Sequence, residues 1–180
     1  MAKDTTLERL YDLAEGQDGY FTMPQVLRAG IGRNAVVKAA HRGRVERVSQ
    51  GVYRLGRFPV LSERTHLWES VLWPQAREPV KAALSHETAL TLHGLSDVNP
   101  TQVHITVPKS FRLRREAPPW LVIHRADLGE AELDYIDGLP TTVPARTLRD
   151  IAKSAPTLLY DAIRDAERLG ITVPAELKDV

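Results

Sequence analysis

The chain has 180 residues, 43% of them hydrophobic and 26% charged, a net charge of +1 and no cysteine. This composition is globular rather than disordered, the length suits one large domain or two small ones, and the missing thiols exclude disulfides, thiolate zinc sites and cysteine nucleophiles. No run approaches the roughly 18 apolar residues of a membrane span, and the opening MAKDTTLERL lacks the apolar core of a signal peptide, so the expected location is the cytoplasm.

Thr5 and Glu8 have capping-box spacing, and Leu7, Leu10, Tyr11 and Ala14 recur at helical spacing, which predicts a first helix ending near Gly16. Thr22 is the next N-cap candidate, with Gln25 at the third helical position and Pro24 tolerated in the first turn. That second helix runs to about Ala29; Gly30 closes it, and Ile31 plugs the core at the turn. A third helix spans about Arg33 to Arg42. At 100° per residue Ala35, Val36, Val37, Ala39 and Ala40 fall on its apolar side, while Asn34, Lys38, His41 and Arg42 share an arc of about 100°. Gly43 stops this helix. Two β-prone runs follow, Val45 to Val48 and Val52 to Leu55, joined by a short Ser49-Gln50-Gly51 loop.

Beyond Arg57 the pattern becomes an α and β mixture without repeats. Ser62 caps a helix striped by Leu67, Trp68, Val71 and Leu72 and stopped by Pro74; Ser85 caps another, ended by Gly94. Val103 to Val107 alternates with period 2, Trp120 to His124 reads as a second strand, and the Asp137-Gly138 turn leads into a third, Leu139 to Val143. Helices at Ala145 to Ala152 and about Thr157 to Leu169 complete the series. The fold class is therefore α+β: a winged helix-turn-helix over residues 1–57 and a mixed α/β domain over 58–180, with the boundary near 56 to 61.

Charge singles out the first of these domains. Between Tyr20 and Arg57 stand Arg28, Arg33, Lys38, Arg42, Arg44, Arg47, Arg54 and Arg57 against Glu46 alone, a balance of +7 that leaves −6 for the remainder. So positive a segment attracts phosphates and releases counterions. A helix can enter the major groove if it carries polar side chains along one face. On the third helix Asn34 suits an adenine edge, Lys38 and Arg42 suit guanine or phosphate, Arg33 sits near the backbone, and the N-terminal amides add a phosphate site. The DNA-contact candidates are Arg28, Arg33, Asn34, Lys38, His41 and Arg42 from the helices, and Arg44, Arg47 and Arg54 in or beside the hairpin, the expected wing. In the second domain Lys109, Arg112, Arg114 and Arg115 form a basic loop, KSFRLRR, suited to accessory DNA contact or to an acidic partner.

FTMPQVLRAGIGRNAVVKAAHRGRVERVSQGVYRL resembles the N-terminal winged-helix domain of AbiEi-type antitoxins, whose basic recognition helix precedes an RGxLxRVxxGVYR hairpin. The resemblance continues through ALSHETALTLHGLSD, TQVHITVP and TTVPARTLRDIA. It implies an autorepressor that binds operator repeats in its own promoter, beside a gene for a nucleotidyltransferase-like toxin. It also implies a C-terminal domain engaged in dimer contacts on DNA and in toxin neutralisation, with a monomer or weak dimer in solution that pairs on DNA. The alternative is a protein-binding antitoxin that neutralises its toxin by direct complex formation, with DNA binding secondary. Two positions depart from the family pattern: Gly32 stands where a Ser or Thr cap is common, and Ser49-Gln50 replaces a more basic wing tip.

An enzyme is not expected. His86, Glu87 and His93 suggest a metal site, but seven residues separate the histidines by about 10 Å along a helix, too far for one ion. His104 and His124 fall on adjacent predicted strands and lack a third ligand. Asp134 and Asp137 read as caps, and no phosphate loop, serine elbow or nuclease carboxylate set is present. No metal or cofactor is assigned.

Overall fold

A computed structural model describes residues 5–60, 63–97 and 100–178. The protein is α+β and divides into two compact units, Met1–Lys81 and Ala82–Val180.

In the first unit α1 (Thr5–Ala14) is followed by β1 (Tyr20–Thr22), α2 (Met23–Arg28), α3 (Arg33–His41), β2 (Val45–Ser49) and β3 (Val52–Leu55). The strands form an antiparallel sheet in the order β1-β3-β2, so helix-turn-helix and sheet together make a winged helix. The start of α2 follows from two side chains. Thr22 is extended and its hydroxyl accepts from the Gln25 amide, while the Gln25 side chain accepts from the Thr22 amide at 2.8 Å, satisfying donors that a helix start otherwise leaves open. At the other end Gly30 turns the chain with φ +69, and Ile31 drops into a core built from Leu10, Ala14, Phe21, Val26, Val36, Val45 and Leu55. Each such Leu, Ile, Val or Phe side chain, fully buried, contributes about 1.5–3 kcal/mol.

The hairpin departs slightly from expectation. Arg47 pairs with Tyr53 and Ser49 with Val52, which makes Val48 a bulged residue and reduces the connection to Gln50-Gly51. Gly51 has φ +84, and a Cβ placed on it would lie 2.7 Å from the Ala76 Cβ and 2.9 Å from the Ala76 carbonyl oxygen. Ala76 ends a 3₁₀ turn, Pro74–Ala76, just after α4 (Leu67–Leu72), whose Leu67, Trp68, Val71 and Leu72 are buried as their stripe predicts. Ser62, the expected cap of this helix, lies outside the described residues. α4 packs against β1 and Ala76 against the hairpin, so both belong with the first unit, which ends at Lys81.

The second unit holds β4 (Ala83–Leu84), α5 (His86–Leu92), β5 (Val103–Val107), β6 (Leu121–Arg125), β7 (Leu133–Ile136), β8 (Leu139–Thr142), α6 (Pro144–Ser154) and α7 (Leu159–Arg168). Its sheet is mixed, in the order β6-β5-β4-β8-β7; β5–β6 and β4–β8 are parallel pairs, β4–β5 and β7–β8 antiparallel. Asp137 and Gly138, at φ 52 and 80, make the primed turn that hairpins of this length favour. Leu90 of α5, Leu148 and Ile151 of α6, and Leu159, Ala162 and Ala166 of α7 pack as one core with Leu95, Val173 and Leu177.

Candidate nucleic-acid interface

α3 sinks Val36 into the core and rests Ala35 and Ala39 against it, and this fixes which side faces out. Arg33, Asn34, Lys38, His41 and Arg42 are all exposed, so the five candidates of α3 and its C-cap lie on the presented side together. Arg28, in the last turn of α2, is exposed as well. Two residues expected on the apolar side are not there. Val37 is 46% exposed and Ala40 is exposed, because the core takes up a narrower arc than the apolar residues span. On the helical wheel Val37 lies about 40° past Arg33 and 40° before His41, between two polar residues of the exposed face. Gly32, the N-cap, supplies no side-chain acceptor, which leaves the first amides of α3 without a side-chain cap.

The three hairpin arginines have different surroundings. Arg54 lies directly opposite Tyr20 on one side and Glu46 on the other, in the middle strand. It is half-buried, with its guanidinium over the Tyr20 ring at 5.4 Å and its Nη2 donating to the carbonyls of Phe58 (3.1 Å) and Pro59 (3.2 Å). Its side chain holds the chain that leaves the sheet. Arg44 is exposed but lines an open groove with Leu7, Glu8, Tyr11 and Asp12 of α1, so two carboxylates share its surroundings. Arg47, exposed on the edge strand, shares a face with Val45 and Tyr53, the face on which the helices pack. The tip itself is packed on Ala76, and the Gly51 carbonyl accepts from the Met23 amide at 3.3 Å. The β2 edge carries the exposed Arg47, while at the tip Gly51 is packed and Gln50 is exposed.

Residues 8–56 match the family described as "Transcriptional regulator, AbiEi antitoxin", and residues 81–160 match the "AbiEi antitoxin C-terminal domain". Between them the two matches cover most of the chain, in the family's order. The chain belongs to the AbiEi-type antitoxin family. No curated protein matches it. The regulator match ends at Gly56, so α4 of this antitoxin, although part of the first compact unit, lies in neither matched segment. Among the described residues no helix is long and apolar enough to cross a membrane.

In the antitoxin's second unit Lys109, Arg112 and Arg114 are exposed and Arg115 is half-buried, on a segment without helix or strand between β5 and β6. Leu113, among them, is 41% exposed, and the Lys109 amide is fixed by the Asp127 carboxylate at 3.1 Å.

A histidine cluster in the same unit was only partly foreseeable. His104 Nδ1 on β5 stands 3.2 Å from His124 Nε2 on β6 and 2.7 Å from Glu87 Oε2, and the His86 ring stacks on His124 at 3.4 Å between centroids. His86 is held at φ +52, at the start of α5. Ser85, the expected cap of that helix, makes no capping hydrogen bond; its hydroxyl instead accepts from Thr106 at 2.8 Å and lies 2.9 Å from His86 Nδ1. Burial pushes His86 down to about 3, with the neighbouring His124, His104 and Arg146 adding to the effect. Burial also lowers His104 and His124, against the opposing pull of Glu87. His93 belongs elsewhere, its Nε2 donating to the Thr142 carbonyl at 2.7 Å. Among the described residues no group of three or more histidine and carboxylate side chains is placed to hold a metal ion.

Arg146 carries a network that joins Asp150, four residues on along α6, to the distant Glu132. Its Nη1 donates to Glu132 at 2.9 Å and its Nε to both carboxylate oxygens of Asp150, tying α6 to the 3₁₀ turn before β7. The Gly129 amide and Arg146 lower Glu132, whereas burial raises Asp150 despite its partner.

Proposed function

We propose that this protein is a DNA-binding transcriptional repressor and the antitoxin of an AbiE-like toxin–antitoxin operon, acting in the cytoplasm on its own promoter. The reading rests above all on the exposed face of α3, where Arg33, Asn34, Lys38, His41 and Arg42 stand together above a helix anchored by Val36. Asn34 has the donor and acceptor pair that adenine presents in the major groove, Lys38 and Arg42 supply donors for guanine or phosphate, and Arg28 and Arg47 extend the positive border. One winged helix covers one half-site, so operator repeats engage two protomers, each monomeric or weakly dimeric before it binds. The activity is binding and not catalysis, and no cofactor takes part.

The test is a titration of the full chain against a duplex from its own upstream region at several salt concentrations. Lys38→Glu with Arg42→Glu removes two cations and adds two anions; binding is expected to disappear, and the parent's affinity to fall steeply as salt rises. Unchanged binding by the double variant overturns α3 as the reading helix.

Neutralisation of a nucleotidyltransferase-like toxin by direct contact is the second reading. It is favoured by the segment with Lys109, Arg112, Leu113 and Arg114, which offers charge and apolar surface together. Co-purification with the neighbouring gene product, lost on Arg112→Glu with Arg114→Glu, supports it; failure to associate at micromolar concentration rejects it.

A further inference from the structure

We infer that Val37 is a specificity-determining residue of the recognition face, making apolar contact with the 5-methyl group of a thymine in the major groove. This rests on the DNA-binding reading and adds to it a base preference that no polar residue of the face supplies. Val37 is 46% exposed on a helix whose other long exposed side chains are polar. Arg33, Val37 and His41 form one row at four-residue spacing and Asn34 and Lys38 the next, so Val37 is flanked by both candidate base readers of the second row. A solitary exposed aliphatic residue is ordinary on a surface. Between Arg33 and His41 on a face aimed at base edges it meets a groove whose apolar landmark is the thymine methyl, which cytosine lacks.

The side chain suits that role. Valine in a helix is largely confined to one χ1 rotamer, so its methyls already point in a fixed direction and little rotamer freedom is lost on contact. Spacing ties the preference to its neighbour. Asn34 and Val37 are separated by about 4.5 Å along the helix axis, close to the roughly 3.4 Å rise of one base step. The methyl read by Val37 should therefore lie within one or two base pairs of the adenine read by Asn34.

The experiment begins with the tightest duplex selected by the full chain from a random-sequence library. Each thymine of that duplex is then replaced singly by deoxyuridine, which removes only the methyl, and binding is measured for the parent and for Val37→Ala. Alanine favours the helix and is exposed at this site, so the variant keeps the fold. One position is expected at which deoxyuridine weakens the parent about four-fold, the equivalent of about 0.8 kcal/mol for one buried methyl, and leaves Val37→Ala unaffected. Two results overturn the assignment while leaving DNA binding intact: no deoxyuridine substitution weakens the parent, or the same position weakens both proteins equally. If no duplex is enriched and binding does not respond to salt, the DNA-binding reading fails, and the assignment with it.

Discussion

Arg54 lies across the sheet from Tyr20, with its guanidinium 5.4 Å from the ring centroid and its Nη2 shared between the carbonyls of Phe58 and Pro59. Its positive charge is spent on the chain's exit from the sheet, unlike that of Arg47 one strand away. Arg54→Ala should therefore cost about 2 kcal/mol of stability, from charge-assisted hydrogen bonds, and leave the slope of affinity against salt unchanged. Arg47→Ala should do the reverse, reducing that slope by about 1 with the melting temperature unmoved. Paired melting and salt-titration curves decide it; an Arg54 variant that loses salt dependence while keeping its stability rules the assignment out.

Gly51 and Gly43 both adopt positive φ, +84 and +65, but only Gly51 is crowded, by Ala76. Gly43→Ala should cost about 1 kcal/mol, the conformational term alone. Gly51→Ala should cost clearly more, because Ala76 must also shift and the hairpin tip with it. Urea unfolding midpoints measure the difference, and equal losses would show that the tip is not held against Ala76.

These two glycines show what the sequence discloses. Local signals are legible: the Thr22–Gln25 box, the closure of α2 at Gly30, the stop at Gly43 and the presence of the hairpin, though not its bulge at Val48, all depend on residues a few positions apart. What a residue meets from far along the chain is not. Strand alternation places Arg54 on a face, yet nothing local says that Phe58 and Pro59 close over it, or that Ala76 reaches Gly51. β1 and β4, with three residues and two, are too short to show any period, and β7 is an edge strand with both end residues half-buried and the middle exposed. Val37 was misplaced because counting apolar residues overstates the width of the buried arc. The signal that could have found it was its angular position between Arg33 and His41.

The histidine cluster predicts a direction for acid sensitivity. Folded His86 titrates near 3, against an ordinary value of 6.5, so between those values the unfolded chain holds more protons than the folded one. Stability contributed here is complete above about pH 6.5, falls as pH drops through the window and levels off near 3. His86→Asn keeps a side chain tolerant of positive φ but cannot titrate. Its melting temperature should fall less than the parent's between pH 7 and pH 4.5. Parallel curves for the two proteins would show that His86 gains its proton without cost to the fold.

Arg146→Ala removes both partners' cation and leaves Asp150, 8% exposed, without its guanidinium. The loss should reach about 3–5 kcal/mol, characteristic of an uncompensated buried charge. Arg146→Met with Asp150→Leu, which removes the charge as well as its partner, should recover much of it. A single variant within 0.5 kcal/mol of the parent on chemical denaturation would show that water already compensates Asp150.

The pairing of β4 with β8 has a consequence for how the polypeptide emerges during synthesis. Leu84 lies beside Thr141, with β5, β6 and β7 all made in between, so one flank of the central strand β4 waits for a partner until β8 has left the ribosome. The first unit closes its sheet between Tyr20 and Leu55 and needs no such wait. Contacts close in sequence form sooner than distant ones, so a nascent chain should carry a finished N-terminal unit while the C-terminal sheet is still an open edge, exposed to mispairing with other chains.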